Sequence, residues 1–300
     1  MTTPKPNPDL LWPSATSPHV VRFFQWWMGK MFRKDFNTIR AVTGTTRILS
    51  DLNQHEGPVL VLMNHQCWWD PLIGMYIARH LTPARSMLAP MELAMLRKFP
   101  ILRRLGVFGL NPDAPQSMDI MIEHVTQVFQ KTPRTSFWIT PQGQFADVRT
   151  PVRLRPGAAA VAARTQGLKV VCLAVEMAFW LDRKPEILLR FEPCEPPPAP
   201  TTAGWNRVMT QAMQRNADEL SKAVIARAEA DFSPIASVHA GRSVRVNPLY
   251  DLWLRLRGRS AELRATDREQ ARVAQPRAHN PAHETDKPAD LHATTAERTA

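Results

Sequence analysis

A chain of 300 residues with an apolar fraction of 44% is long enough for one large domain, or two small ones, with a sizeable core. Its 38 Lys and Arg against 27 Asp and Glu give a net charge of +11, which favours anionic partners: acidic lipid surfaces, phosphorylated or CoA-like substrates, or nucleic acid. The scattered Cys67, Cys172 and Cys194 exclude a disulfide framework and a Cys-based metal site, and no run reaches the roughly 18 apolar residues of a spanning helix.

Residues 1–17, with Pro4, Pro6, Pro8 and Pro13, read as a flexible lead without the basic-then-apolar pattern of a signal peptide. Residues 18–36 mix Phe23, Phe24, Trp26, Trp27 and Phe32 with Arg22, Lys30, Arg33 and Lys34. That mixture suits a helix lying in a membrane interface, and equally a core helix; one face packing while another meets lipid satisfies both. From Ile39 to Met63 the pattern is strand, turn, strand, broken at Gly44 and turned again at Glu56-Gly57-Pro58. Val59 to Met63 is a continuous apolar run and predicts a buried strand. Asp70-Pro71 then starts a helix to about Arg79, the aspartate accepting from orphan amides and proline losing no needed donor.

Residues 86–104 predict a short strand and a helix interrupted at Pro100, and 105–110 a further short strand. A helix over about 116–130 carries Met118, Ile122, Val125 and Phe129 as a core stripe, and 136–140 is a buried strand ending in the turn Pro141-Gln142-Gly143-Gln144. A helix over about 157–166, strands over 168–177 and 187–191, a linker from Pro193 to Pro200 and an amphipathic helix over about 205–230 follow. The alternation predicts an α/β fold: a mostly parallel or mixed central sheet flanked by helices, with an N-terminal interfacial helix and a C-terminal amphipathic helix. The domain spans 37–232; 233–257 is a basic-aromatic segment that suits a membrane surface, and 258–300 is polar enough to be disordered.

His65 sits at the mouth of the strand-to-helix turn and Asp70 at the start of the helix leaving it. A tight turn brings carboxylate to imidazole, as either a base with its orienting acid or a structural pair. Asn64-His65-x-x-x-x-Asp70 resembles the signature of the glycerolipid acyltransferases, the 1-acylglycerol-3-phosphate acyltransferase superfamily. Further blocks follow in order: Leu105 to Pro112 is similar to the family's glycine–phenylalanine strand, Thr140 to Gln144 to its Pro-Glu-Gly-Thr turn, and Arg153 to Ala159 to the segment after it. Val170 to Glu176 stands at the fourth block without its proline. Pro112 occupies the place of a family arginine, Gln142 that of the glutamate, and no arginine follows Gly143 directly.

The resemblance implies a membrane-associated O-acyltransferase on the cytoplasmic face, with His65 as base and Asp70 its partner. It would move a fatty acyl group from acyl-CoA or acyl carrier protein to a lysophospholipid or glycerol-3-phosphate-type hydroxyl, or to a non-phosphate lipid such as a glycolipid or carotenoid glycoside. Asn64, Gln142 and Gly143 fall in the family's substrate-binding blocks. Arg149, Arg153 and Arg155 offer replacement cations or plain surface charges. Cys67 reads as a small buried residue or a nucleophile, and Glu176 as an edge residue facing solvent or a buried carboxylate needing a partner. No metal or redox cofactor is implied. With dispersed arginines and no reader motif, nucleic acid is not an expected partner.

Overall fold

The strand Val59–Met63 is buried along its whole length and lies in the interior of a nine-stranded sheet. The computed structural model describes residues 7–180, 184–236, 253 and 256–258. In chain order these hold β1 (Leu11–Trp12), α1 (Pro18–Asp35), β2 (Ile39–Val42), α2 (Arg47–Gln54), β3 (Val59–Met63), α3 (Asp70–Leu81), β4 (Ser86–Glu92) and α4 (Leu93–Lys98). A 3-10 turn (Pro100–Leu105), β5 (Val107–Leu110), α5 (Ser117–Lys131), β6 (Thr135–Ile139) and α6 (Gly157–Ala163) come next. Then follow β7 (Lys169–Ala178), β8 (Glu186–Cys194), α7 (Thr202–Ile225) and β9 (Phe232–Ala236). All belong to the unit spanning residues 1–241; in the second unit, 242–300, the Arg257 guanidinium lies over the Trp253 ring at 4.0 Å. The expected basic-aromatic segment and polar tail otherwise lie outside the described residues, except for 233–236.

The strand order is β1-β5-β4-β6-β3-β7-β8-β2-β9. β5, β4, β6, β3 and β7 run parallel, while β1, β8 and β9 each meet a neighbour antiparallel. Parallel strands need cover on both faces, and the alternation within β3 divides the core accordingly. Val59, Val61 and Met63 join Phe32 of α1, Leu49 of α2 and Ile73 of α3 on one face. Leu60 and Leu62 meet Ile122 of α5, Val161 of α6 and Met209 of α7 on the other. The fold is thus the expected α/β sheet between helical layers. Truncating a buried leucine such as Leu62 to alanine costs about 2–5 kcal/mol in such a core.

Several elements depart from the sequence reading. Within the supposed flexible lead, Leu11–Trp12 pairs with β5; Arg103 stacks on Trp12 at 4.2 Å and donates to Pro13 O at 2.8 Å. Proline is tolerated there because β1 is an edge strand. In α1, Val21, Met28 and Phe32 are buried, while Phe23 is 64% and Trp26 55% exposed. α2 escaped the reading because its eight residues bury only Leu49 and Leu52, too few for a periodic pattern. β8 runs through Pro193, where a linker was expected; β2 pairs only with Ile187 to Leu189, so no ladder bond on that side is lost. Met118 is 44% exposed and Met121 takes the core position instead.

Candidate active site

The carboxyl ends of β3, β4, β5 and β6 lie along one edge of the sheet, where open α/β folds place their sites. β3 is clamped there by Asn64, whose carboxamide donates to Val175 O at 2.9 Å and accepts from Val175 N at 2.7 Å. Asn64 was expected to bind substrate; its amide is instead committed to joining β3 to β7. The next residue is held through its backbone. His65 N donates to Gln142 Oε1 at 2.8 Å, and His65 O accepts from Ala146 N at 2.8 Å. Gln142 thereby couples the turn after β6 to the turn after β3, so its oxygen serves the histidine rather than a ligand.

The chain then returns on itself, bringing Asp70 Oδ2 to 2.8 Å from His65 Nδ1. Asp70 is fully buried, and the same oxygen accepts from Gln66 N at 2.7 Å and Cys67 N at 2.8 Å. These amides precede the helix; the expected helix cap is replaced by a carboxylate that holds the loop. Trp69, not Asp70, is the capping position. A carboxylate only accepts, so Nδ1 carries the proton toward it and Nε2 of the neutral ring is left as acceptor. Phe145 packs on the imidazole with ring centres 4.4 Å apart.

Cys67 is half-buried, its thiol 3.7 Å from Asp70 Oδ1 and its sulfur accepting from Trp69 N at 3.4 Å. Burial first, and then the Asp70 charge, push its pKa up to about 11. It is a neutral thiol at physiological pH, unsuited to act as a nucleophile. Glu176 does not face solvent. It is 2% exposed on β7, ion-paired with Arg149, and accepts from Ser221 Oγ of α7 at 2.9 Å. Arg149 is therefore a tether for the loop after β6, a contact 27 residues apart that no local pattern announces.

Two adjoining cavities flank this turn. A narrow one of about 80 Å³ is lined by Met63, Met75, Met87, Met91, Trp138 and Pro71, the residue after Asp70. It shares Pro90, Met91, Ile139 and Thr140 with a wider one of about 530 Å³ that extends past Gly143 and Arg155. Gly143 has φ +68° and donates its N–H to Thr140 O at 3.1 Å, so that amide closes the turn. A Cβ there would meet Arg155 Nε at 2.6 Å; glycine both relieves the backbone and lets the guanidinium cross the turn. Arg155 is exposed and has no ion-pair partner among the described residues. Arg153 is exposed and outside both linings.

Residues 41–176 match the family model described as Acyltransferase, a span that runs from within β2 to Glu176 and holds the whole His65 turn. Comparison with curated proteins gives no match.

Proposed function

Because residues 41–176 form a domain of the acyltransferase family and the chain is an acyltransferase, we propose that it moves a fatty acyl group from a thioester to a lipid hydroxyl at His65. The observation that carries this reading is the 2.8 Å contact from His65 Nδ1 to a fully buried Asp70. With Nδ1–H fixed on the carboxylate, Nε2 is the basic atom. It takes the proton of the acceptor hydroxyl as that oxygen attacks the thioester carbonyl carbon. The tetrahedral intermediate collapses by breaking the C–S bond, and the thiolate recovers the proton from the imidazolium, whose charge Asp70 offsets meanwhile. A base so placed contributes about 10²–10⁴-fold.

The donor is acyl-CoA or acyl carrier protein. The narrow cavity suits the acyl chain, since its lining is apolar and four methionines can shift rotamers to widen it. The acceptor is a lipid alcohol, either of the lysophospholipid or glycerol-3-phosphate type or of the non-phosphate type, both presenting the same hydroxyl to Nε2.

The enzyme works peripherally, at the cytoplasmic face of a membrane. No helix among the described residues is long and apolar enough to cross a bilayer. Phe23, Trp26 and Trp27 are exposed on α1, Lys30 lies over the Trp26 ring at 3.8 Å, and Trp68 is exposed three residues from His65. Exposed tryptophans beside cations are what an anionic interface binds. Purified protein given labelled acyl-CoA and a lipid alcohol should form labelled ester, and His65→Ala should lower the rate at least 100-fold. Wild-type transfer by that variant would sink the mechanism.

A further inference from the structure

The wide cavity has a charge that bears on the acceptor. Its lining contains two carboxylates, Glu92 at the end of β4 and Asp113 after β5, against one guanidinium, Arg155. The formal sum is one positive minus two negative charges, or −1. All three are exposed, and none has an ion-pair partner among the described residues. The N-termini of α5 at Ser117 and of the short α6 at Gly157 also reach the lining; at about half a positive charge each they bring the sum to about zero, so the lining holds no excess of positive charge. Arg149 adds nothing to it, being outside the lining and bound to Glu176.

A phosphate monoester carries up to two negative charges and is held by converging cations or forked arginines. Here it would meet two like charges and a single guanidinium. Hydroxyl groups fit the same lining well. Carboxylates accept from them, Arg155 can donate to them, the Thr140 hydroxyl does either, and Ser117, whose O–H donates to Asn111 O, can accept. Pro112, Pro141 and Met118 offer apolar surface for the C–H faces between those hydroxyls. At about 530 Å³ the cavity lies within the range of small-molecule sites.

We propose that this cavity takes the head group of the acceptor, and that this head group is uncharged and polyhydroxylated, as in a glycosyl lipid, rather than a phosphate monoester. The proposal rests on the reading of the chain as a His65-dependent O-acyltransferase. The full-length protein is assayed with acyl-CoA and either a long-chain alkyl glucoside or lysophosphatidate, each carried in phosphatidylcholine vesicles. The glucoside should give a kcat/KM at least tenfold above lysophosphatidate. A Glu92→Gln/Asp113→Lys variant should shrink that ratio at least tenfold by raising lysophosphatidate use. Equal or reversed preference in the wild type would overturn the assignment, and so would a ratio unmoved in the variant. No His65-dependent transfer to either acceptor would overturn the acyl-transfer reading itself, and this inference with it.

Discussion

Arg149 and Glu176 meet as an ion pair that ties the loop over His65 to the interior of the sheet. The carboxylate is almost wholly buried in an apolar strand, where an unpaired charge is costly; the guanidinium and Ser221 Oγ meet that demand. The same loop carries Gln142 and Ala146, which hold both backbone polar groups of His65, and Phe145, which packs on its ring. The pair thus supports the loop that positions the histidine, and neither of its members is among the contacts of the imidazole.

A double-mutant cycle separates that role from simple stability. Arg149→Met leaves the Glu176 charge buried and should cost about 1–3 kcal/mol in urea unfolding, a range discounted because the arginine is half exposed. Adding Glu176→Gln removes the stranded charge and should recover most of the loss. Turnover should stay about tenfold low in both, because the loop is untethered in either case. Additive stability losses, or full activity in the double variant, would remove the tether.

Cys67 shares the Asp70 pocket with His65, yet its thiol is held protonated. Against an ordinary thiol near 9, a pKa of about 11 means about 100-fold less thiolate at neutral pH. Alkylation by iodoacetamide at pH 7.5 should be correspondingly slow at this position, as read by peptide mass spectrometry. Cys67→Ser should retain acyl transfer within about threefold; loss of transfer would return the residue to the chemistry.

Phe23, Trp26 and Trp27 test the membrane assignment. Deleting residues 1–36 would also remove Phe32 and Phe36, which are fully buried, so loss of binding after deletion would only report unfolding. Replacing the three exposed aromatics by serine leaves the core face of α1 intact. Sedimentation with anionic vesicles should fall at least tenfold while the melting temperature holds within a few degrees. Unchanged sedimentation would discard α1 as the anchor.

What could be read from the sequence follows from range. β3 announces itself by five consecutive apolar residues, and the Asp70-Pro71 helix start lies within a few residues of it, so the His65–Asp70 pair was legible. The contacts that support the pair were not. Gln142 reaches His65 across 77 residues and Asn64 reaches Val175 across 111, so each identity carries a meaning that only the sheet order supplies. β1 and β9 escaped for another reason: both are edge strands in or beside proline-containing segments, and edge pairing leaves little alternation to detect.

His124 on α5 gives the fold a pH dependence of definite sign. Burial against Phe108, whose ring centre is 4.7 Å away, and the nearby Lys131 push its pKa down from 6.5 to about 4. Between those values the unfolded chain binds a proton that the folded one refuses. Its contribution to stability is therefore complete above pH 6.5 and is lost as pH falls toward 4. From pH 7 to pH 5 the loss should be on the order of 2 kcal/mol, by the usual conversion of about 1.4 kcal/mol per pH unit. His124→Leu should flatten that part of the urea-midpoint profile; an unchanged slope would place the acid sensitivity elsewhere.

Arg85 provides the last test, at the opposite edge of the sheet from His65. Its buried guanidinium donates to the carbonyls of Leu52, His55, Gly57 and Thr135 and to Ser136 Oγ, stapling the end of α2 to the starts of β3 and β6. Burial lowers its pKa to about 10, which still leaves it charged at pH 7. Arg85→Met strands these acceptors, and at about 1–3 kcal/mol for each one left unsatisfied, partial rehydration included, the total loss should be about 3–5 kcal/mol. A lysine supplies one point charge with three donors where the fork supplies five, so Arg85→Lys should fall between methionine and wild type. Below the melting transition both variants should keep wild-type kcat, because the staple lies about 17 Å along β3 from the His65 turn by strand rise. Lysine matching arginine in urea would show that charge rather than the fork holds the junction.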